Sequence, residues 1–108
     1  MKEQAYVIGL DYGSDSVRAV LLNTSNGKEE ATSVHYYQRW KSLQYCKPNQ
    51  NQFRQHPLDH IEGLENTIKG VLSASSINPA LVKGITIDTT GSSPIPIAED
   101  GEALVFKK

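Results

Sequence analysis

The sequence predicts an α/β domain built on a mixed sheet, with the element order β-β-β-α-β-β. Three observations carry that reading. Ala5–Leu10 is a continuous apolar run rich in β-forming residues, as expected of a strand covered on both faces. Asn26-Gly27 lies between two further extended segments and is the strongest short hairpin signal a sequence offers. After Pro57, Leu58, Ile61, Leu64, Ile68, Val71 and Leu72 recur at helical spacing, which puts one apolar stripe on a helix.

Each element follows in order. The first strand runs into Asp11-Tyr12-Gly13-Ser14-Asp15, where Gly and Asp tolerate the backbone angles of a tight turn. Val17–Leu22 is the second strand, and the Asn26-Gly27 turn joins it to a third at Glu29–Tyr37, giving an antiparallel meander. Gln38 to His56 has no regular pattern; it is polar, carries Pro48 and concentrates side-chain amides between Gln44 and Gln52. Loops of that length are uncommon in compact domains and are often functional. Pro57 suits the first helical position. Gly63 and Gly70 weaken the helix that follows, so packing against the sheet has to hold it. Ser75–Pro79 ends it. Lys83–Asp88 is a fourth strand with alternating Ile85 and Ile87, interrupted at Thr89–Ser93 and resumed as a short fifth strand at Pro94–Ala98. Glu99-Asp100-Gly101 is a turn, and Leu104–Phe106 begins another extended piece. Residues 1–108 thus read as a single partial domain, the opening portion of a larger one.

Composition narrows the functional classes. With 38% hydrophobic and 21% charged residues, the chain is globular rather than disordered or membrane-embedded. Eleven basic residues are interspersed with twelve acidic ones for a net charge of −1, which argues against a nucleic-acid partner. Cys46 stands alone, so no internal disulfide forms, and a reducing compartment is expected. Ala5–Leu10 is too short for a secretory apolar core. A cytoplasmic location follows, with no membrane partner.

The most informative stretch is Asp11-Tyr12-Gly13-Ser14-Asp15-Ser16-Val17-Arg18. A buried strand delivers Asp11 to its C-terminal end, where Gly13 lets backbone N–H groups approach an anion and Ser14 and Ser16 add hydroxyls. Successive N–H groups in such a turn form a concave anion site. Asp11 can hold Mg²⁺ through water, because that ion takes hard oxygen ligands and keeps several waters. Arg18 can bring charge to a transferring phosphoryl group. The same residues also make an ordinary hairpin turn with solvent-facing polar groups, and spacing alone leaves both readings open.

Tyr6–Arg18, YVIGLDYGSDSVR, closely resembles the first phosphate motif of the FGGY carbohydrate kinases, members of the ribonuclease-H-like, actin-like ATPase superfamily. HYYQRW at His35–Trp40, NQFRQHPLDHIEGLE at Asn51–Glu65 and GITIDTTGSSPIPI at Gly84–Ile97 are similar to the ribulokinase branch of that family. The resemblance implies an N-terminal part of a kinase that uses ATP and Mg²⁺ to convert L-ribulose to L-ribulose 5-phosphate in arabinose catabolism. It implies that Asp11 organises the metal and that the loop Gly13, Ser14, Asp15 and Ser16 faces the phosphates. It places Arg18 near the γ-phosphoryl group and Thr90, Gly91, Ser92 and Ser93 beside the sugar. Ser14 stands where most members carry Thr, which preserves the hydroxyl. The turn at Thr90–Ser93 also reads as a β-bulge between two strands. The family's catalytic base lies downstream of this stretch, so no catalytic residue is expected here and the chain alone should not turn over. Its partners are then a ketopentose, ATP and the remainder of the kinase, with self-association through an exposed sheet edge.

Other signals have simpler explanations. Tyr36, Tyr37, Arg39 and Trp40 form an aromatic and basic cluster of the kind that stacks single-stranded nucleic acid, but the balanced charge favours packing or a sugar-facing wall. His56 precedes Pro57 and lies off the face of His60, so it reads as a surface histidine with a helix-end role rather than a metal ligand. Asp59 and Glu62 sit in the first helical turn as complements to the dipole. Cys46 has no assignable base. A non-catalytic binding module that kept the fold is the alternative to a kinase.

Overall fold

A computed structural model describes residues 4–91 and 94–107. Its elements are β1 (Tyr6–Tyr12), β2 (Ser16–Asn23), β3 (Glu29–Tyr36), α1 (Gln38–Lys41), β4 (Cys46–Lys47), β5 (Gln52–Phe53), α2 (Pro57–Ser75) and β6 (Val82–Thr89). The main sheet has the order β3-β2-β1-β6. The first three strands form the expected antiparallel meander, and β6 lies parallel to β1. A parallel partner needs a crossover connection, and α2 provides it by returning across the sheet.

Alternation along the strands decides which face is buried. Tyr6, Ile8 and Leu10 of β1 and Val17, Ala19 and Leu21 of β2 form the core with Val71 of α2. Gly27, at φ +71°, makes the turn after β2, a conformation open to glycine without strain. Helix α2 starts at Pro57 as expected and is capped by His56, whose Nδ1 accepts from the Leu58 N–H at 3.0 Å. It ends at Ser76 in the left-handed conformation, φ 57°.

The line of α2 closest to the sheet differs from the one the apolar spacing predicts. Asp59, Gly63, Thr67 and Val71 are buried, whereas Ile61 is 44% exposed. Small side chains win that line because the helix approaches β2 and β3 closely. A Cβ on Gly63 would lie 2.5 Å from Val17 Cγ1. Thr67 Oγ1 satisfies itself on the Gly63 carbonyl at 2.7 Å. The helix covers β2 and β3 but not β6, so Ile85 and Ile87 stay 50% and 62% exposed on the same face.

Three expectations are corrected. The segment from Gln38 to His56 is not irregular throughout: it holds α1 and a two-stranded ribbon of β4 and β5 around a 3₁₀ turn at Pro48–Gln50. Pro94–Ala98 does not form a fifth strand; a single bridge pairs Ile97 with Ala103. Pro94 and Pro96 have no N–H to give a ladder. Leu104–Phe106 is a 3₁₀ turn rather than an extended piece.

Candidate functional site

Gly13, Ser14 and Asp15 join β1 to β2. The Gly13 N–H donates to the Ser16 carbonyl at 2.8 Å and closes the turn. A Cβ on Gly13 would sit 3.3 Å from that same oxygen, so glycine is the residue the turn accepts without displacement. Its carbonyls are held from outside. The Tyr37 hydroxyl donates to the Gly13 oxygen at 3.0 Å, and Gln55 Nε2 donates to the Ser14 oxygen at 2.7 Å. The Tyr37 N–H donates to the Asp15 oxygen at 2.9 Å. Ser16 Oγ donates to Asp15 Oδ1 at 3.2 Å.

Strand register brings Asp11 and Arg18, two of the remaining expected residues, into one row. Asp11 is the cross-strand partner of Arg18 on β2 and of Asp88 on β6. Side chains in register share a sheet face, so these three form a row on the face away from α2. Among the described residues neither carboxylate is ion-paired with Arg18. Asp88 had no place in the sequence reading, yet a signal was present: it ends one apolar strand as Asp11 ends another.

A cavity of 770 Å³ brings Ser14 together with Thr90 and Gly91. Thr90 donates its N–H to the Tyr12 carbonyl at 3.2 Å, which carries the β1–β6 pairing one residue further. Since no strand resumes after it among the described residues, the β-bulge reading of that turn falls. Ser92 and Ser93 lie outside the described residues. Trp40, Tyr45 and Phe53 line the same cavity with His56 and His60. Tyr45 and Phe53 were missed because aromatic residues in a polar loop show no periodicity until β4 and β5 pair. His56 is buried rather than on the surface, with its ring beside Tyr45, although its helix-end role is as expected.

His60 packs between Tyr12 and Tyr37, with ring centroids 5.4 and 5.2 Å away. Burial lowers its pKa from the ordinary value, so the ring is neutral at pH 7. Burial raises the Tyr12 and Tyr37 phenols, Tyr37 further through Tyr12 and the carboxylates of Asp15, Asp59 and Asp11. Both stay protonated and act as donors. Tyr12 donates to the His60 carbonyl at 3.0 Å.

The aromatic and basic cluster comes apart. Arg39 spans Asp59 at 3.0 Å and both oxygens of Glu62 at 3.0 and 3.1 Å. Those hydrogen bonds raise the guanidinium pKa further and hold the Glu62 carboxyl low. Asp59 is fully buried and also accepts from the backbone N–H groups of Arg39 and Trp40, both at 3.2 Å. These carboxylates therefore anchor α1 to α2. Among the described residues no group of His, Cys, Asp and Glu forms a dedicated metal cage, and no helix is long and apolar enough to cross a membrane.

No protein-family model matches the sequence. The chain is 49% identical to the ribulokinase of Vibrio parahaemolyticus over 104 residues, 95% of its own length and 18% of that protein's. It is 39% identical to the ribulokinase of Halalkalibacterium halodurans, covering 92% of this chain and 18% of that one. The ribulokinase of Anoxybacillus flavithermus matches at 40%, over 94% and 19%. In structure it resembles the gluconate kinase of Lactobacillus acidophilus with a TM-score of 0.76, at 22% identity over 94% of this chain and 19% of that one. A reductive activator for a corrinoid, iron-sulfur protein shares the fold more loosely, with a TM-score of 0.58 at 10% identity over 83% of this chain and 15% of the other. Along nearly its whole length, then, the chain is homologous to ribulokinases, and it spans less than a fifth of their length.

Proposed function

We propose that this chain is part of an ATP-dependent sugar kinase, and that the protein containing it phosphorylates L-ribulose to L-ribulose 5-phosphate in the cytoplasm. The observation that carries the reading is the meeting of the Gly13–Ser16 turn with Thr90 and Gly91 at one cavity, in a chain 49% identical to a ribulokinase. The cavity suits a polyol. Ser14 and Thr90 offer hydroxyl partners, while Trp40, Tyr45 and Phe53 offer aromatic surface to the C–H groups of a sugar, and pockets of this size with few polar groups take small ligands.

Mg²⁺ is bound through one or two carboxylates together with phosphate oxygens and water, and Asp11 with Asp88 is a pair of that kind. When bound, the ion neutralises charge on the phosphates. Within this chain, the turn positions phosphate oxygens through its N–H groups and Arg18 faces charge that develops on transfer. The sugar hydroxyl attacks the γ-phosphorus, the bond to the ADP oxygen breaks, and the hydroxyl proton passes to a base outside these residues. The chain alone accordingly should not turn its ligands over. Ile85 and Ile87 beside the β6 edge support self-association of the isolated chain.

Trp40 is the single tryptophan of the sequence and lines the cavity, so its fluorescence tests the reading. L-Ribulose should change the emission saturably, and gluconate should do so only at higher concentration. No response to any ketopentose would refute the assignment of this cavity to the sugar.

A further inference from the structure

We propose that Tyr37 and Gln55 are positioning residues for the phosphate turn, fixing the direction of its N–H groups by holding its carbonyls. The inference rests on the reading of residues 13–16 as a phosphate site. Three successive carbonyls, those of Gly13, Ser14 and Asp15, each accept from one of these two residues at 3.0, 2.7 and 2.9 Å. In a trans peptide the C=O of one residue and the N–H of the next point in opposite directions, and no peptide bond here is cis. Holding the carbonyls of 13, 14 and 15 therefore sets the N–H groups of Ser14, Asp15 and Ser16. The N–H groups of Ser14 and Asp15 find no acceptor among the described residues. An anion site made of backbone donors works when those donors are aimed before the anion arrives.

Tyr37 is built for that task. It is fully buried, and its ring is wedged against His60. The segment that follows it is locked by the Asp59 carboxylate on the N–H groups of Arg39 and Trp40. The tyrosine therefore cannot follow the turn if the turn relaxes. Gln55 comes from the other side, on the segment leading out of the β4–β5 ribbon, and closes the middle carbonyl.

The test uses the ¹⁵N-labelled 108-residue chain with Mg·ATP as probe, following the amides of Ser14, Asp15 and Ser16, while Trp40 fluorescence follows L-ribulose. Tyr37→Phe removes one oxygen and keeps the ring. Gln55→Met removes the donating amide without adding charge. Losing one such hydrogen bond should raise the dissociation constant for ATP about fivefold in each variant. Tyr37→Phe should leave that for L-ribulose within about twofold, since Tyr37 is not among the cavity-lining residues. Unchanged ATP affinity in both variants, or equal loss for both ligands in Tyr37→Phe, overturns the proposal and leaves the phosphate reading intact. Turn amides that ignore Mg·ATP in the unmodified chain defeat the phosphate reading, and the proposal with it. Should Tyr37→Phe not fold, the neutral variant Gln55→Met decides the matter alone.

Discussion

Gly63→Ala should destabilise the chain, although alanine is the better helix former. Two effects oppose each other. In a helix interior the exchange contributes about 0.8–1 kcal/mol in favour of the fold. Against it, the added methyl would stand 2.5 Å from Val17 Cγ1 and 3.3 Å from His35 Cδ2. Val17 is fully buried and β-branched, so its methyls have one comfortable arrangement and nowhere to turn. Overpacking of this kind costs roughly 1–3 kcal/mol. The net expectation is a loss of about 1 kcal/mol, read from urea unfolding monitored by far-ultraviolet circular dichroism. The double variant isolates the cause. With Val17→Ala the obstructing methyls are gone, and Gly63→Ala should then become neutral or stabilise by up to about 1 kcal/mol. A Gly63→Ala chain as stable as the parent, or one whose cost persists in the Val17→Ala background, would refute the close-packing account of this helix.

Two further perturbations test the supports of the site. His60 is neutral in the fold because burial depresses its pKa, so between the lowered value and the ordinary one near 6.5 the unfolded chain binds more protons. Stability should therefore be fully present above about pH 6.5 and fall as the pH drops through that window. His60→Phe should flatten the profile in urea midpoints taken from neutral to mildly acidic pH. Arg39→Met leaves the buried Asp59 carboxylate without its guanidinium and should lower the urea midpoint clearly more than Glu62→Gln, which alters only the exposed partner of the same arginine. Equal midpoints for these two variants would show that the backbone N–H groups of Arg39 and Trp40 satisfy Asp59 alone.

Much of this architecture was legible in the sequence. The meander, the Asn26-Gly27 turn, the Pro57 helix start and the strand at Ile85 and Ile87 follow from local rules, because each depends on alternation or turn chemistry within a few residues. The Gly13–Ser16 turn was legible for the same reason. What escaped depends on residues distant in sequence. Apolar spacing chose Ile61 for the buried face of α2, but close approach to Val17 gave that line to Asp59, Gly63 and Thr67. Tyr37 and Arg39 looked like members of one cluster until folding turned one toward the turn and the other toward Asp59. Pro94 and Pro96 announced the failure of a fifth strand, which the alternating isoleucines obscured.

β1 and β2 are the two strands of the main sheet with a neighbour on each side, and that position sets how the molecule breathes. Local opening costs least at sheet edges and most at the centre. β3 and β6 should fray and exchange their amide hydrogens first, while Ile8, Leu10, Ala19 and Leu21 hold theirs until the whole domain opens. The turn at Gly13 joins those two slowest strands. Fluctuations at either margin of the sheet are thereby absorbed before they reach the residues that would grip a phosphate, and the site keeps its shape through motions that loosen the rest.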